Sequence, residues 1–350
     1  MNANTRNNSV DIMRGIAMLL VVLGHTITGC TIDSQDSFLY NVIWSLQMPL
    51  FVLISGYVTR YSRGCYDGKS LKQYVCRRSL AYLLPWVVWT FLIRGLVCGN
   101  SNFLNPSWVC YNMDSGYWFL VTIWTISICF GFSEFFAKKL FHSINKEIMA
   151  TSFLLGLFGI VLLAIGMLAG MNFLGIKLTL YYIPFYWIGY LYGKLGDDLD
   201  STKMGNTIKT AVVAISTVVW VYFMYNFNLF NLPDSGSSIV LRIISSIIGC
   251  ITVCGLCKGL FCAVDGIGNQ RVLKWGGVFR WSGVHSLEIY LGQYLMLNII
   301  RLEETPLFST VNGLALSFAN FILTMTLLVV VILLTNQNKY LRLLLYGKTK

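Results

Sequence analysis

Charge is scarce in this sequence. Of 350 residues, 26 are Lys or Arg and 15 are Asp or Glu, so 12% are charged, against roughly 25% in soluble globular domains. That scarcity excludes a disordered chain, a coiled coil and an ordinary cytosolic enzyme. No long stretch returns to normal charge density, which excludes a large soluble domain carried on a few anchors. Other features are missing too. There is no repeat of fixed period and no low-complexity linker, so a single integral-membrane domain is expected over 1–350. The first apolar run starts only after Arg14, and Thr28, Gly29, Cys30 and Thr31 offer no clear cleavage site. It reads as an uncleaved start signal.

What remains is apolar. Hydrophobic residues make up 56% of the chain and mean hydropathy is +0.64. At about 20 residues per span the length accommodates about ten helices. Apolar runs fall near 12–29, 40–59, 80–98, 117–137, 148–170, 178–194, 208–228, 239–262, 284–301 and 313–335. Lipid leaves backbone groups unsatisfied in anything but helices or closed barrels, and strict alternation is absent. The expected fold is an all-α polytopic membrane helix bundle.

A net charge of +11 in a soluble protein would suggest nucleic acid. In a polytopic protein, Lys and Arg collect in cytoplasmic loops instead. With ten spans, 22 of the 26 basic residues fall on one side; Arg94, Lys177, Arg242 and Arg301 are the exceptions. Both termini are therefore expected in the cytoplasm of a multi-pass cell-membrane protein, among membrane lipids and without a nucleic-acid partner. Cys254-x-x-Cys257 lies in an apolar helix with no second Cys/His pair nearby, so it reads as packing and no metal is expected. Cys98 and Cys110 share one outer loop, which leaves a disulfide open.

The first run carries Asp11, Arg14 and His25. Arg14 and His25 are eleven residues apart, three helical turns plus about 20°, so they share a face about 16 Å apart. Asp11 can pair with Arg14 three residues on. An ionisable group deep in a membrane helix usually faces a cavity or pathway, and His25 is such a group. The other histidines are worse placed: His142 lies in a cytoplasmic loop and His285 near the cytoplasmic start of the ninth run. Glu288, within that run, is costly unless paired or wetted. It could orient His25, contact a sugar or bond another helix. Tyr181, Tyr182, Tyr186, Trp187, Tyr190 and Tyr192 crowd the sixth run, as a belt or as a sugar-stacking wall.

Four blocks carry a resemblance. Asp11-Ile-Met-Arg14 through Gly24-His25, then Gln47-Met-Pro-Leu-Phe51 with Ser55-Gly56-Tyr57, Tyr117-Trp-Phe-Leu120 and Ser286-Leu-Glu-Ile-Tyr-Leu291 occur in that order. Together they resemble acyltransferase family 3, multi-pass membrane O-acyltransferases of envelope glycans. The resemblance implies transfer of an acyl group, acetyl foremost, from cytosolic acyl-CoA to a hydroxyl of an extracytoplasmic carbohydrate or lipid-linked glycan. It implies His25 as base, with Arg14 also catalytic; Glu288, as the carboxylate within the ninth run, is the third catalytic candidate. Arg14, Arg77 and Arg78 would hold the CoA phosphates, which Arg can grip bidentately. Two departures stand out. Gln293 occupies a position where the family commonly has His, and Gln cannot exchange a proton near neutral pH. Ala81 and Tyr82 stand where a further Arg is expected before Pro85. The other reading is a transporter or exporter using the same polar stripe as a path, which paired broken helices would favour.

Overall fold

A computed structural model describes residues 8–62, 64–200, 203–267, 270–300 and 311–348, with side chains omitted for 197–200, 203–206, 260–267, 270–275 and 311. Of the basic residues in the charge count, Arg6, Arg63, Lys203, Arg271, Lys274, Arg301 and Lys350 fall outside the described side chains. The chain is an all-α polytopic membrane protein. Its helices are α1 (Asn8–Cys30), α2 (Phe38–Tyr57), α3 (Gly68–Val87), α4 (Pro106–Tyr111), α5 (Trp118–Leu140), α6 (Ile144–Ala169) and α7 (Ile176–Asp200). They continue as α8 (Lys203–Asn226), α9 (Gly236–Ile267), α10 (Gln270–Val284), α11 (Ser286–Met296), α12 (Val311–Gln337) and α13 (Lys339–Tyr346).

Among the described residues, eight helices are long and apolar enough to cross a membrane. They account for eight of the ten apolar runs. The run at 178–194 lies in α7, whose 25 residues span about 37 Å, but its Tyr and Trp residues and Lys177 and Lys194 make it less apolar. The run at 284–301 is not one helix. There α11 ends after 11 residues at Met296, Leu297 is extended and Asn298 takes a positive φ of 55°. Three helices fall where the apolar pattern left loops or an end: the short α4 and α13, and the longer α10; α10 matters most. Its Arg271, Lys274 and Arg280 interrupt any apolar run, while its packing face uses glycine.

Two compact units make up the chain, one of Met1–Ser55 and Leu195–Leu333, the other of Gly56–Lys194 and Leu334–Lys350. In the first unit α1 packs along α10 and also meets α9 and α11. Gly15 and Gly283 make the α1–α10 contact possible. A Cβ on Gly15 would strike the Phe279 carbonyl, and one on Gly283 the Asp11 carbonyl. Small residues at such a crossing bring backbones close enough for dense packing in lipid. Elsewhere in the unit, α8 and α9 pair through Gly249 against Trp220 and Gly255 against Val213. At the start of α2, the Asn41 amide donates to the carbonyls of Met224 (3.0 Å) and Phe227 (2.7 Å).

In the second unit α5 packs against α3 and α6. Gly56, from the Ser-Gly-Tyr block, lies against the Tyr186 carbonyl, where a side chain would collide. The short link from α2 to α3 is clamped from α5. Glu134 and Lys138 pair at 2.7 Å with both side chains nearly buried, and Glu134 Oε2 accepts from the Cys65 amide at 3.2 Å. Burial and the nearby Glu134 carboxylate push the Cys65 thiol up to about 11. Asp67 then caps α3, accepting from the Ser70 amide at 2.7 Å, a bond that holds its carboxyl below the ordinary value.

The α10 register yields a test. Gly283→Val should lower the melting temperature and folded yield in detergent, because overpacking against rigid backbone costs about 1–3 kcal/mol or more. Gly277→Val, on the same helix with open space around its Cβ, should be tolerated. Equal behaviour of the two variants would show that the α1–α10 contact is not tight.

Candidate functional site

The sequence-predicted residues fall in both units. His25, Arg14 and Glu288 belong to the first; Arg77 and Arg78 belong to the second. In the first unit α1 is helical from Asn8 to Cys30, so Arg14 and His25 do stand on one uninterrupted helix, three turns apart. Both are half-buried, and Asp11 is buried. The His25 imidazole lies against the Tyr294 ring of α11, centroids 5.4 Å apart and tilted by 51°.

Three contacts fix how the next segment runs. Gly283 lies at Asp11, Tyr294 at His25, and Asn298 at Gly29. Residues 283–298 therefore travel alongside α1 from its first turn to its last. Glu288, six residues before Tyr294, sits about 9 Å nearer the Arg14 end. It is fully buried, and its Oε1 lies 3.1 Å from Nδ1 of His285. The His285 ring rests on Trp281 with centroids 4.7 Å apart. Of the roles open to Glu288, the structure shows a pairing with His285, a histidine on its own segment. The signal was present as His-x-x-Glu, an i,i+3 spacing that puts both groups on one helix face.

Beyond His25 the backbone leaves the helix, and α12 braces it. Thr324 Oγ1 donates to the Met296 carbonyl at 2.8 Å. The fully buried Asn320 accepts from the Ile300 amide and donates to the Ile300 carbonyl, both at 3.0 Å. It also meets Cys30 Sγ at 3.2 Å, and that thiol donates to Asn298 Oδ1 at 3.1 Å. Irregular backbone at membrane depth is tolerated only where such partners or water satisfy it. Sequence reasoning missed Asn320 and Thr324, because their partners lie across the fold. Gln293 is also fully buried, and its amide donates to the Tyr290 carbonyl at 3.2 Å.

Adjacent arginines in the second unit part company. Arg77 is exposed. Arg78 turns inward, its guanidinium 5.1 Å from the Tyr74 ring centroid and 6.0 Å from that of Tyr82, and it donates to the Tyr82 hydroxyl at 3.2 Å. Tyr74 in turn donates to the Ser127 carbonyl of α5 at 3.2 Å. A sugar-stacking wall on α7 is not what the rings form. Tyr182, Tyr186 and Tyr190 are buried, with Tyr182 stacked on Trp118 and the other two against Phe130. Cys98 and Cys110 are free thiols. Among the described residues, no three His, Cys, Asp or Glu side chains gather as a metal site.

Chemically, the first unit offers an imidazole against a phenol ring deep along α1, with a guanidinium and a His–carboxylate pair toward the helix start. The family described as an acyltransferase domain matches residues 7–335. The chain is 26% identical over 222 residues to the nodulation protein NolL of Sinorhizobium fredii, covering 58% of this chain and 53% of that protein. It is 28% identical over 200 residues to NolL of Mesorhizobium japonicum, covering 55% and 49%. The chain thus spans about half the length of the curated relatives it matches. No solved structure matches it.

Proposed function

We infer the function from one premise: the chain belongs to the acyltransferase 3 family. We propose that it transfers an acyl group, acetyl foremost, from cytosolic acyl-CoA to a hydroxyl of an extracytoplasmic glycan. The observation that carries this reading is the single helix α1 with Arg14 and His25 three turns apart and an aromatic neighbour on the imidazole.

In the proposed reaction the glycan hydroxyl attacks the thioester carbonyl while His25 takes its proton. The tetrahedral intermediate then collapses, the C–S bond breaks, and the proton on His25 passes to the departing thiolate of CoA. Imidazole suits that exchange because its ordinary titration lies near neutral pH. The separation of about 16 Å between Arg14 and His25 is one that the extended arm between the phosphates and the thioester of acyl-CoA can bridge. Arg14 would hold phosphate at the start of α1. Glu288 acts there as a positioning residue, through His285. Arg77 and Arg78 are the phosphate-binding candidates of the other unit, and both units serve one catalytic domain. No metal takes part in this proposal.

A base contributes about 10²–10⁴-fold to rate, equivalent to roughly 3–5 kcal/mol of barrier. His25→Gln keeps hydrogen bonding but cannot accept a proton. Transfer from acetyl-CoA by the purified variant should fall by about that factor, with melting temperature unchanged. Near-normal turnover would refute the base assignment.

The donor side has its own check. Arg78→Ala should raise the KM for acyl-CoA about tenfold or more, a charged hydrogen bond being worth about 1.5–3 kcal/mol. The acceptor KM should not move, and the wild-type donor KM should climb with salt. An unchanged donor KM would leave Arg78 as a packing residue within its tyrosines.

The orientation follows from charge. Eight or ten crossings alike return the last residue to the side of the first, and the basic loops assign that side to the cytoplasm of a cell-membrane protein. Reporters fused after Lys350 and within residues 100–114 should read opposite compartments. If both read the same compartment, the orientation is wrong.

A further inference from the structure

Two carboxamide oxygens near the level of His25, one on a fully buried side chain and one on a half-buried one, are themselves buried and have no protein donor. Gln293 is fully buried. Its Nε2 is committed to the Tyr290 carbonyl at 3.2 Å, while its Oε1 is buried with no hydrogen-bond partner. Gln47 Oε1 is buried without a partner as well. Among the described residues, these are the two carboxamide oxygens in that state. Their positions are not scattered. Gln47 of α2 lies against Gly24, where a Cβ would come within 2.8 Å of its Oε1, and Gly24 is the residue before His25. Gln293 of α11 precedes Tyr294, whose ring touches His25.

A buried acceptor left unpaired carries a desolvation penalty, so proteins rarely keep one without a use. Two at one depth, each adjoining a neighbour of His25 or of its ring partner Tyr294, point to a ligand that presents hydrogen-bond donors there. We propose that Gln47 and Gln293 form the acceptor subsite, accepting hydrogen bonds from hydroxyls of the incoming glycan that flank the one His25 deprotonates. This rests on the acyl-transfer reading. Hydroxyls fit the site well: each donates through its O–H, and both amide oxygens can only accept. Such a subsite selects among sugars. A ring with a hydroxyl missing at the matching position leaves a carboxamide unpaired, and buried polar groups reject such analogues strongly.

The proposal has a signature that a structural role lacks. Gln293→Met and Gln47→Met keep the length of the side chain and remove the orphan oxygen. Each should raise, or leave unchanged, the melting temperature of the substrate-free full-length protein, while raising the acceptor KM about three- to tenfold. The donor KM should stay constant. The assay uses acetyl-CoA with methyl hexosides, methyl 6-deoxyhexosides and methyl N-acetylhexosaminides, the best wild-type acceptor serving for the variants. If the variants melt lower and keep the acceptor KM, the glutamines are structural and the subsite falls alone. A rise in the donor KM with a constant acceptor KM would assign the oxygens to amide N–H groups of the CoA arm, and would overturn the acceptor assignment. Should the wild type acetylate none of these sugars, the acyl-transfer reading falls, and the subsite with it.

Discussion

Everything in the first unit depends on how closely α10 approaches α1. At Gly15 and Gly283 each helix presents bare backbone to the other's carbonyls. That contact locates Gly283 at Asp11, and the chain that follows has no freedom about where it begins its course along α1. Tyr294 then arrives at His25 and Asn298 at Gly29. A side chain on either glycine would push α10 away and displace α11 with it, so the packing of two residues without side chains governs the surroundings of the histidine. In lipid this matters more than in water, because tails are as apolar as leucine and association rests on close packing and interhelical bonds.

The second constraint is polar. After Met296 the helix ends with carbonyls and amides that no following turn can satisfy. Asn320 and Thr324 of α12 supply the missing partners, and the break therefore stays where the contacts to α1 require it. Broken helices at membrane depth occur in transporters too, so the break alone does not separate an enzyme from an exporter. Family membership and the Arg14–His25 helix favour the enzyme.

Much of this was legible in the residues. Long apolar runs disclosed eight spans, since hydropathy over about 20 residues is a direct consequence of lipid thickness. The His25–Arg14 stripe followed from helical period alone. The inward turn of Arg78 was readable in retrospect from Tyr74 and Tyr82, which stand four residues to either side and so share its face. What escaped had a physical reason in each case. Helix α10 carries charge and glycine, so it imitates a loop in any apolar count. Asn320 looked like one polar residue in an apolar helix, and its partners are 20 and 290 positions away. The pairing of Glu288 with His285 was one the open alternatives for that carboxylate did not include, because depth along α1 is set by the Gly15–Gly283 contact, which no local pattern reveals.

The placement of charge along α1 has a consequence for the chemistry. Arg14, Asp11, His285 and Glu288 all lie toward the start of the helix, whereas the polar groups at the level of His25 are neutral: Tyr294, Gln47 and Gln293. A full charge is expensive away from water and cheaper where headgroups and solvent are near. A donor whose phosphates are anionic is therefore best received at the helix start, and a neutral hydroxyl and thioester best received deeper. The same low dielectric that makes an unpaired carboxamide costly also strengthens each hydrogen bond that a substrate supplies. In the proposed reaction the helix would sort the two ends of an acyl donor by charge before any bond changes, with His25 at the end where the transferred group would arrive.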